Sequence, residues 1–139
     1  MLFSQETEYA IRIIDALKDE KQHKAEDICR TQKIPAVWIY KIAKKLQKAG
    51  FIDIKLGCRG GYTLGKDLET YTLKDLVFAI EPSLCLRPCL NAPCPLQRDK
   101  GTCPLYRELL RLQSGLVELM SAGTMKDVLF REETPQDPV

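Results

Sequence analysis

Histidine is nearly absent from this chain: His23 is the only one in 139 residues. With one imidazole, no nucleophile–base pair and no glycine-rich phosphate loop, the sequence lacks the arrangements behind acid–base, nucleophilic and nucleotide-dependent catalysis. An enzyme is therefore not expected. Long apolar runs are missing too. None reaches the length of a bilayer span, and Met1 to Leu17 carries acids in place of the apolar core of a secretion signal. A cytoplasmic protein is the expectation, and in that compartment thiols stay reduced.

Acidic residues are scarce in one window. From Arg30 to Lys66 there are nine bases (Arg30, Lys33, Lys41, Lys44, Lys45, Lys48, Lys55, Arg59, Lys66) and one acid, Asp53. The overall charge of +2 hides this asymmetry, because the rest of the chain is net acidic. A local excess of that size fits a polyanion, with nucleic acid the first candidate.

Cysteine is the residue in surplus. Four of the six cysteines fall between Pro82 and Pro104, at Cys85, Cys89, Cys94 and Cys103. Their spacing is C-x3-C-x4-C-x8-C, interleaved with Pro82, Pro88, Pro93, Pro95 and Pro104. Each proline removes a backbone donor and restrains its predecessor, so the stretch cannot be one helix. Thiolates are soft ligands for iron–sulfur clusters and zinc. Zinc sites usually show short paired spacings, and the longer, unequal gaps here suit a cluster better. Zinc, or metal-free thiols forming a reversible disulfide, are the alternatives.

Around that loop the periodicities build a recognisable order. Ser4 is a candidate N-cap with Glu6 and Glu8 in the first turns, and Tyr9, Ala10, Ile13, Ile14 and Leu17 form the apolar side of a first helix. Lys18 to Lys24 reads as a polar link in which His23 has no role. A short second helix, Ala25 to Gln32, buries Ile28 and Cys29. Pro35 opens a third, with Trp38, Ile39, Ile42, Ala43, Leu46 and Ala49 on one side and Gly50 as its stop. Phe51 to Leu56 and Tyr62 to Leu64 read as strands joined by a glycine-rich turn. Two short helices, a basic outer face and a hairpin make a winged helix-turn-helix. Thr72-Leu73-Lys74-Asp75 has capping-box spacing and starts a fourth helix. Beyond the loop, Leu105, Leu109, Leu112, Leu116 and Leu119 alternate steps of four and three, a coiled-coil seam. Such a seam pairs with a second copy or packs on its own domain.

The expected fold is thus mostly α with a small β-hairpin wing. Residues 1–81 form the DNA-binding domain, 82–103 the cysteine loop, 104–130 the long helix and a packing segment, and 131–139 a disordered tail. The third helix should enter the major groove N-terminal end first. Ala36, Val37, Tyr40 and Lys41 are then candidates for base edges, and Lys44, Lys45, Lys48 and Arg59 for phosphates. Cys58, beside Arg59, could be modified directly and disturb DNA contact.

In order along the chain stand Tyr9-Ala10, the Ile34-Pro35 turn, Leu46-Gln47-Lys48-Ala49-Gly50 and the wing Gly60-Gly61-Tyr62-Thr63-Leu64. With the Thr72 helix start and a cysteine loop before a long helix, this set resembles the Rrf2 family of bacterial transcription regulators, from Met1 to about Leu129. The resemblance implies a homodimer on a two-fold symmetric operator, acting as a repressor, with the helix from Cys103 crossing to its mate. It implies an iron–sulfur cluster (2Fe–2S or 4Fe–4S), sensing iron, redox state or nitric oxide. Three cysteines would hold it, with a fourth ligand taken in some members from a carboxylate in the other subunit's first helix. Glu8 stands at that carboxylate's place here. Cys94 and Cys103 match the second and third cysteines, and Cys85 and Cys89 compete for the first unless all four ligate. The basic residue common before the wing's first glycine is Leu56, so the wing contact is lost or shifted to Arg59. The competing readings are a cofactor-free regulator sensing through thiols, a small ligand or a partner, and a non-DNA-binding iron–sulfur or interaction module. The basic window argues against the last.

Overall fold

The computed structural model describes residues 3–132 apart from 95 and 97. Of the expected tail, 131–139, residues 133–139 lie outside the described residues. Among the described residues, six α-helices and one hairpin follow in the order α1 (Gln5–Ala16), α2 (Ala25–Gln32), α3 (Ala36–Lys48), β1 (Ile52–Lys55), β2 (Gly61–Leu64), α4 (Leu73–Ile80), α5 (Pro104–Ser121) and α6 (Met125–Leu129). A one-turn 3₁₀ helix, Pro88–Leu90, interrupts the cysteine loop.

Helix α1 is the central element and packs on α2, α3 and α4. Ser4 caps it, its hydroxyl accepting from the Thr7 N–H at 3.3 Å. Ile13, Ile14 and Leu17 are fully buried with Ile28 of α2, Ile39, Ile42 and Leu46 of α3, Ile52 of β1 and Leu76 of α4. The winged helix-turn-helix and its hairpin are as the periodicity predicts. β1 and β2 pair antiparallel with Ile52 opposite Leu64 and Lys55 opposite Gly61. Gly50, at φ +80°, ends α3 in the left-handed region where glycine costs least. Thr72 and Asp75 form both bonds of the capping box.

The polar link before α2 is not only a link. His23 and Tyr62 exchange both backbone bonds, N–H to O at 3.0 Å and 2.8 Å, adding a bridge to the wing. Its imidazole meets Asp19 at 2.9 Å. Backbone pairing leaves no signature in side-chain pattern, so the sequence reads this as loop. Gly61 is where the approach is tightest, because a Cβ there would lie 2.6 Å from the His23 carbonyl oxygen.

Helix α5 leaves the domain, touching α4 and the 3₁₀ turn, and only Met120 of its residues is buried. Most of it therefore does not pack on its own domain, and Leu105 and Leu119 are 65% and 77% exposed. The chain then returns. Thr124 and Asp127 form a second capping box, the Met125 N–H donates to the Tyr71 carbonyl at 2.9 Å, and the Met125 side chain is fully buried in the core. Met125→Ala removes that plug and should cost about 2–5 kcal/mol, as other buried Met-to-Ala truncations do. Urea unfolding of wild type and variant measures it.

Candidate nucleic-acid interface and thiol-lined cavity

Helix α3 turns its apolar side to α1, which leaves Ala36, Val37, Tyr40, Lys41, Lys44 and Lys48 exposed. Val37 and Tyr40 are 78% and 57% exposed, large apolar groups facing water at the helix start. Exposed apolar surface rimmed by cations suits a partner that offers both phosphates and base edges.

The eight residues expected at DNA fall into separate places. Tyr40 and Lys44 share a groove of about 440 Å³ with Lys55, Leu56 and Cys58 of the wing. The turn of the wing is held by the Gln22 amide, which donates to the Arg59 carbonyl at 2.9 Å and leaves the Arg59 side chain exposed. Lys41 and Lys45 lie on the opposite rim, where both ammonium groups pair with the Glu6 carboxylate in the first turn of α1. Hydrogen bonds from Lys41 and Lys45 hold the Glu6 carboxyl below its usual range, against a smaller opposing effect of burial. Lys41 also sits 5.1 Å from the Trp38 ring centroid. In the sequence Glu6 is an acid in the first turn of a helix, a place the helix dipole alone accounts for. Its link to α3 spans 35 and 39 residues, and no local pattern announces it.

A second carboxylate fixes the same turn of α1. Glu81, the last residue before the cysteine loop, accepts from the Ser4 N–H at 2.7 Å and from the fully buried Thr7 hydroxyl at 2.6 Å. Burial opposes its charge, yet the bonds from Ser4 and Thr7 outweigh it and keep the carboxyl below the ordinary value.

Beyond Glu81 the loop folds over the start of α5 and forms an open pocket of about 260 Å³. Cys89, Cys94 and Cys103 line it with Arg87, Arg98 and Lys100, and Leu105, Tyr106 and Leu109 of α5 form an apolar wall. Cys85 is half-buried and is not part of the lining. The backbone N–H groups of Arg98 and then Leu96 bond the Cys94 sulfur and draw its thiol below the usual value, with the Arg98 and Lys100 charges adding to the effect. Three soft donors with cations beside them match the chemistry of an anionic thiolate-bound group. Among the described residues no three His, Cys, Asp or Glu side chains are gathered closely enough to hold a single ion. Glu8 pairs with Arg12 one turn along its own helix. Cys29 is half-buried, and burial, then Glu26, push its thiol up.

Residues 3–131 match the model of the Rrf2 family, described as iron-dependent transcriptional regulator. The chain is similar to the HTH-type transcriptional regulator NsrR of Shouchella clausii, 27% identical over 143 residues that cover 96% of this chain and 91% of that protein. In fold it is similar to CymR, the global cysteine regulator of B. subtilis, with a TM-score of 0.73 at 20% identity over 96% of this chain and 99% of that one. It is also similar to T. potens IscR, with a TM-score of 0.68 at 17% identity, covering 100% and 93% of the two chains.

The thiols differ in a way that reagents can read. In metal-free, reduced protein at pH 7, Cys94 should be alkylated by iodoacetamide several-fold faster than Cys29, because thiolate is the reacting form. Timed quenching and peptide mass spectrometry give both rates.

Proposed function

The chain belongs to the Rrf2 family of transcriptional regulators and binds DNA, and from that premise we propose that its operator affinity is set by an iron–sulfur cluster held in the cysteine loop. Its relatives are regulators and not enzymes. Among the described residues no helix is long and apolar enough to cross a membrane.

The observation that carries the cluster reading is the shared cavity of Cys89, Cys94 and Cys103 beside Arg87, Arg98 and Lys100. It favours Cys89 over Cys85 as the first of three ligands, with Glu8 of a second copy as the fourth candidate. A bound cluster would supply a crosslink that responds to iron, oxidants and nitric oxide. The chain's own residues do the rest. Arg87, Arg98 and Lys100 balance thiolate charge, and Leu105, Tyr106 and Leu109 limit water at the site. Leu105, Leu109, Leu112, Leu116 and Leu119 would seat α5 on the mate in a homodimer, because the domain itself leaves most of α5 uncovered.

At the DNA, Val37 and Tyr40 would meet base edges through apolar contact and shape, and Lys44, Lys48 and Arg59 would hold phosphates. A two-fold operator follows from a two-fold dimer. A second reading, a metal-free thiol switch, draws on the lowered Cys94 thiol with two further cysteines on the same cavity.

One measurement separates these readings, and a second tests the DNA face. Purified without oxygen, the protein should contain iron and sulfide and absorb in the visible; Cys89→Ser and Cys103→Ser should lose both, while Cys85→Ser keeps them. A colourless, iron-free protein would sink the cluster and leave the thiol switch. In gel shifts on the protein's own promoter, Lys44→Ala should weaken binding to all sequences alike. It should also flatten the slope of log K against log salt by about 0.9, the mark of one lost phosphate contact.

A further inference from the structure

One acid of α1 lies against the basic side of α3. Glu6 is an acid inside the basic rim, and its carboxylate meets two of the lysines expected to reach DNA. An exposed ion pair usually contributes little and exchanges freely with water. This arrangement differs in three respects. One carboxylate is shared by two ammonium groups, so neither lysine has a carboxylate of its own. The carboxylate side chain is only 20% exposed, against 55% and 40% for Lys41 and Lys45. The turn that carries it is fixed on either side of Glu6, at Ser4 and Thr7, by the Glu81 carboxylate. Lys41 is held further by the Trp38 ring.

Resting on the reading that α3 faces DNA, we propose that Glu6 is a positioning residue that keeps Lys41 and Lys45 on the α1 side and withholds their charge from DNA phosphates. The consequence is arithmetic. Each lysine that neutralises a phosphate releases condensed counterions and steepens the salt dependence by about 0.9. Lysines held at the Glu6 carboxylate, away from the phosphates, release none. Glu6 thus lowers sequence-independent affinity and leaves the order of sequences untouched, because phosphate contacts carry no base information.

The test is a salt titration of full-length protein on an operator duplex and on a scrambled duplex of equal length. Glu6→Gln should tighten binding to both by the same factor and steepen the slope by about 0.9 if one lysine is released, or about 1.8 if both are. Glu6→Ala, compatible with a helix, should do the same, so the result does not hang on one variant; thermal melting verifies that both are folded. The gain should vanish in the background of Lys41→Gln with Lys45→Gln, where there is no charge left to release. An unchanged or shallower slope overturns the proposal. So does a gain that survives removal of both lysines, because that would be a general effect of one less negative charge near DNA. If wild type binds neither duplex, the DNA-facing reading of α3 fails and takes this proposal with it. If wild type binds and only the Glu6 variants misbehave, the proposal alone falls.

Discussion

The Glu81 carboxylate is the point at which the parts of this molecule meet. It accepts from the Ser4 N–H and the Thr7 hydroxyl, and so joins the end of α4 to the first turn of α1. Removing a carboxylate from water is costly, and here the donors more than offset that cost. Hydrogen bonds to a charged group contribute about 1.5–3 kcal/mol each, comparable to the 1–3 kcal/mol typical of coupling between two sites. One such bond is therefore of the size of a typical coupling between two sites, and it ties the start of the loop to α1. The residue after Glu81 begins the cysteine loop, and the turn it holds carries Glu6, which holds Lys41 and Lys45.

Much of this architecture could be read from the chain. The apolar spacing of Ile13, Ile14 and Leu17, the stop at Gly50 and the Thr72 box each rest on local chemistry, and local chemistry is what a sequence displays. The features that escaped it are of another kind. The His23–Tyr62 bridge is made by backbone alone. Glu6 and Glu81 act across 35 to 77 residues, and their partners are set by how α1 lies on α3 and α4. Helix α6 had a signal, since Thr124 and Asp127 repeat the spacing of Thr72 and Asp75. Five residues are too few for a periodicity to support it, and its place is secured by Met125 in the core.

The cysteines show where spacing stops being informative. Cys85 and Cys89 are equal rivals in sequence, each next to apolar or proline neighbours in the same loop. The 3₁₀ turn at Pro88–Leu90 separates them, with Cys89 on the cavity and Cys85 off it. A preceding proline and one turn of helix set the two apart in space, and neither the direction of that turn nor its neighbours can be computed from a count of intervening residues.

The loop is tied at both ends, and the two ties differ in strength. Toward the DNA-binding domain it hangs from Glu81 and two bonds to a charged group. Toward α5 it is held by the Leu86 N–H donating to the Gln113 side chain at 2.9 Å, a neutral bond, and by Cys103 at the head of the helix. A neutral bond contributes roughly 0.5–1.5 kcal/mol, less than one bond to a carboxylate. A rearrangement of the cavity should therefore be relieved at α5 before it reaches α1. The cavity and the leucine seam share Leu105 and Leu109, so what moves first is the surface on which two copies would meet. In a dimer seated on that seam, a rearranged loop would shift the two α3 helices relative to each other, while the Glu81 bonds keep α1 tied to the end of α4 in each copy.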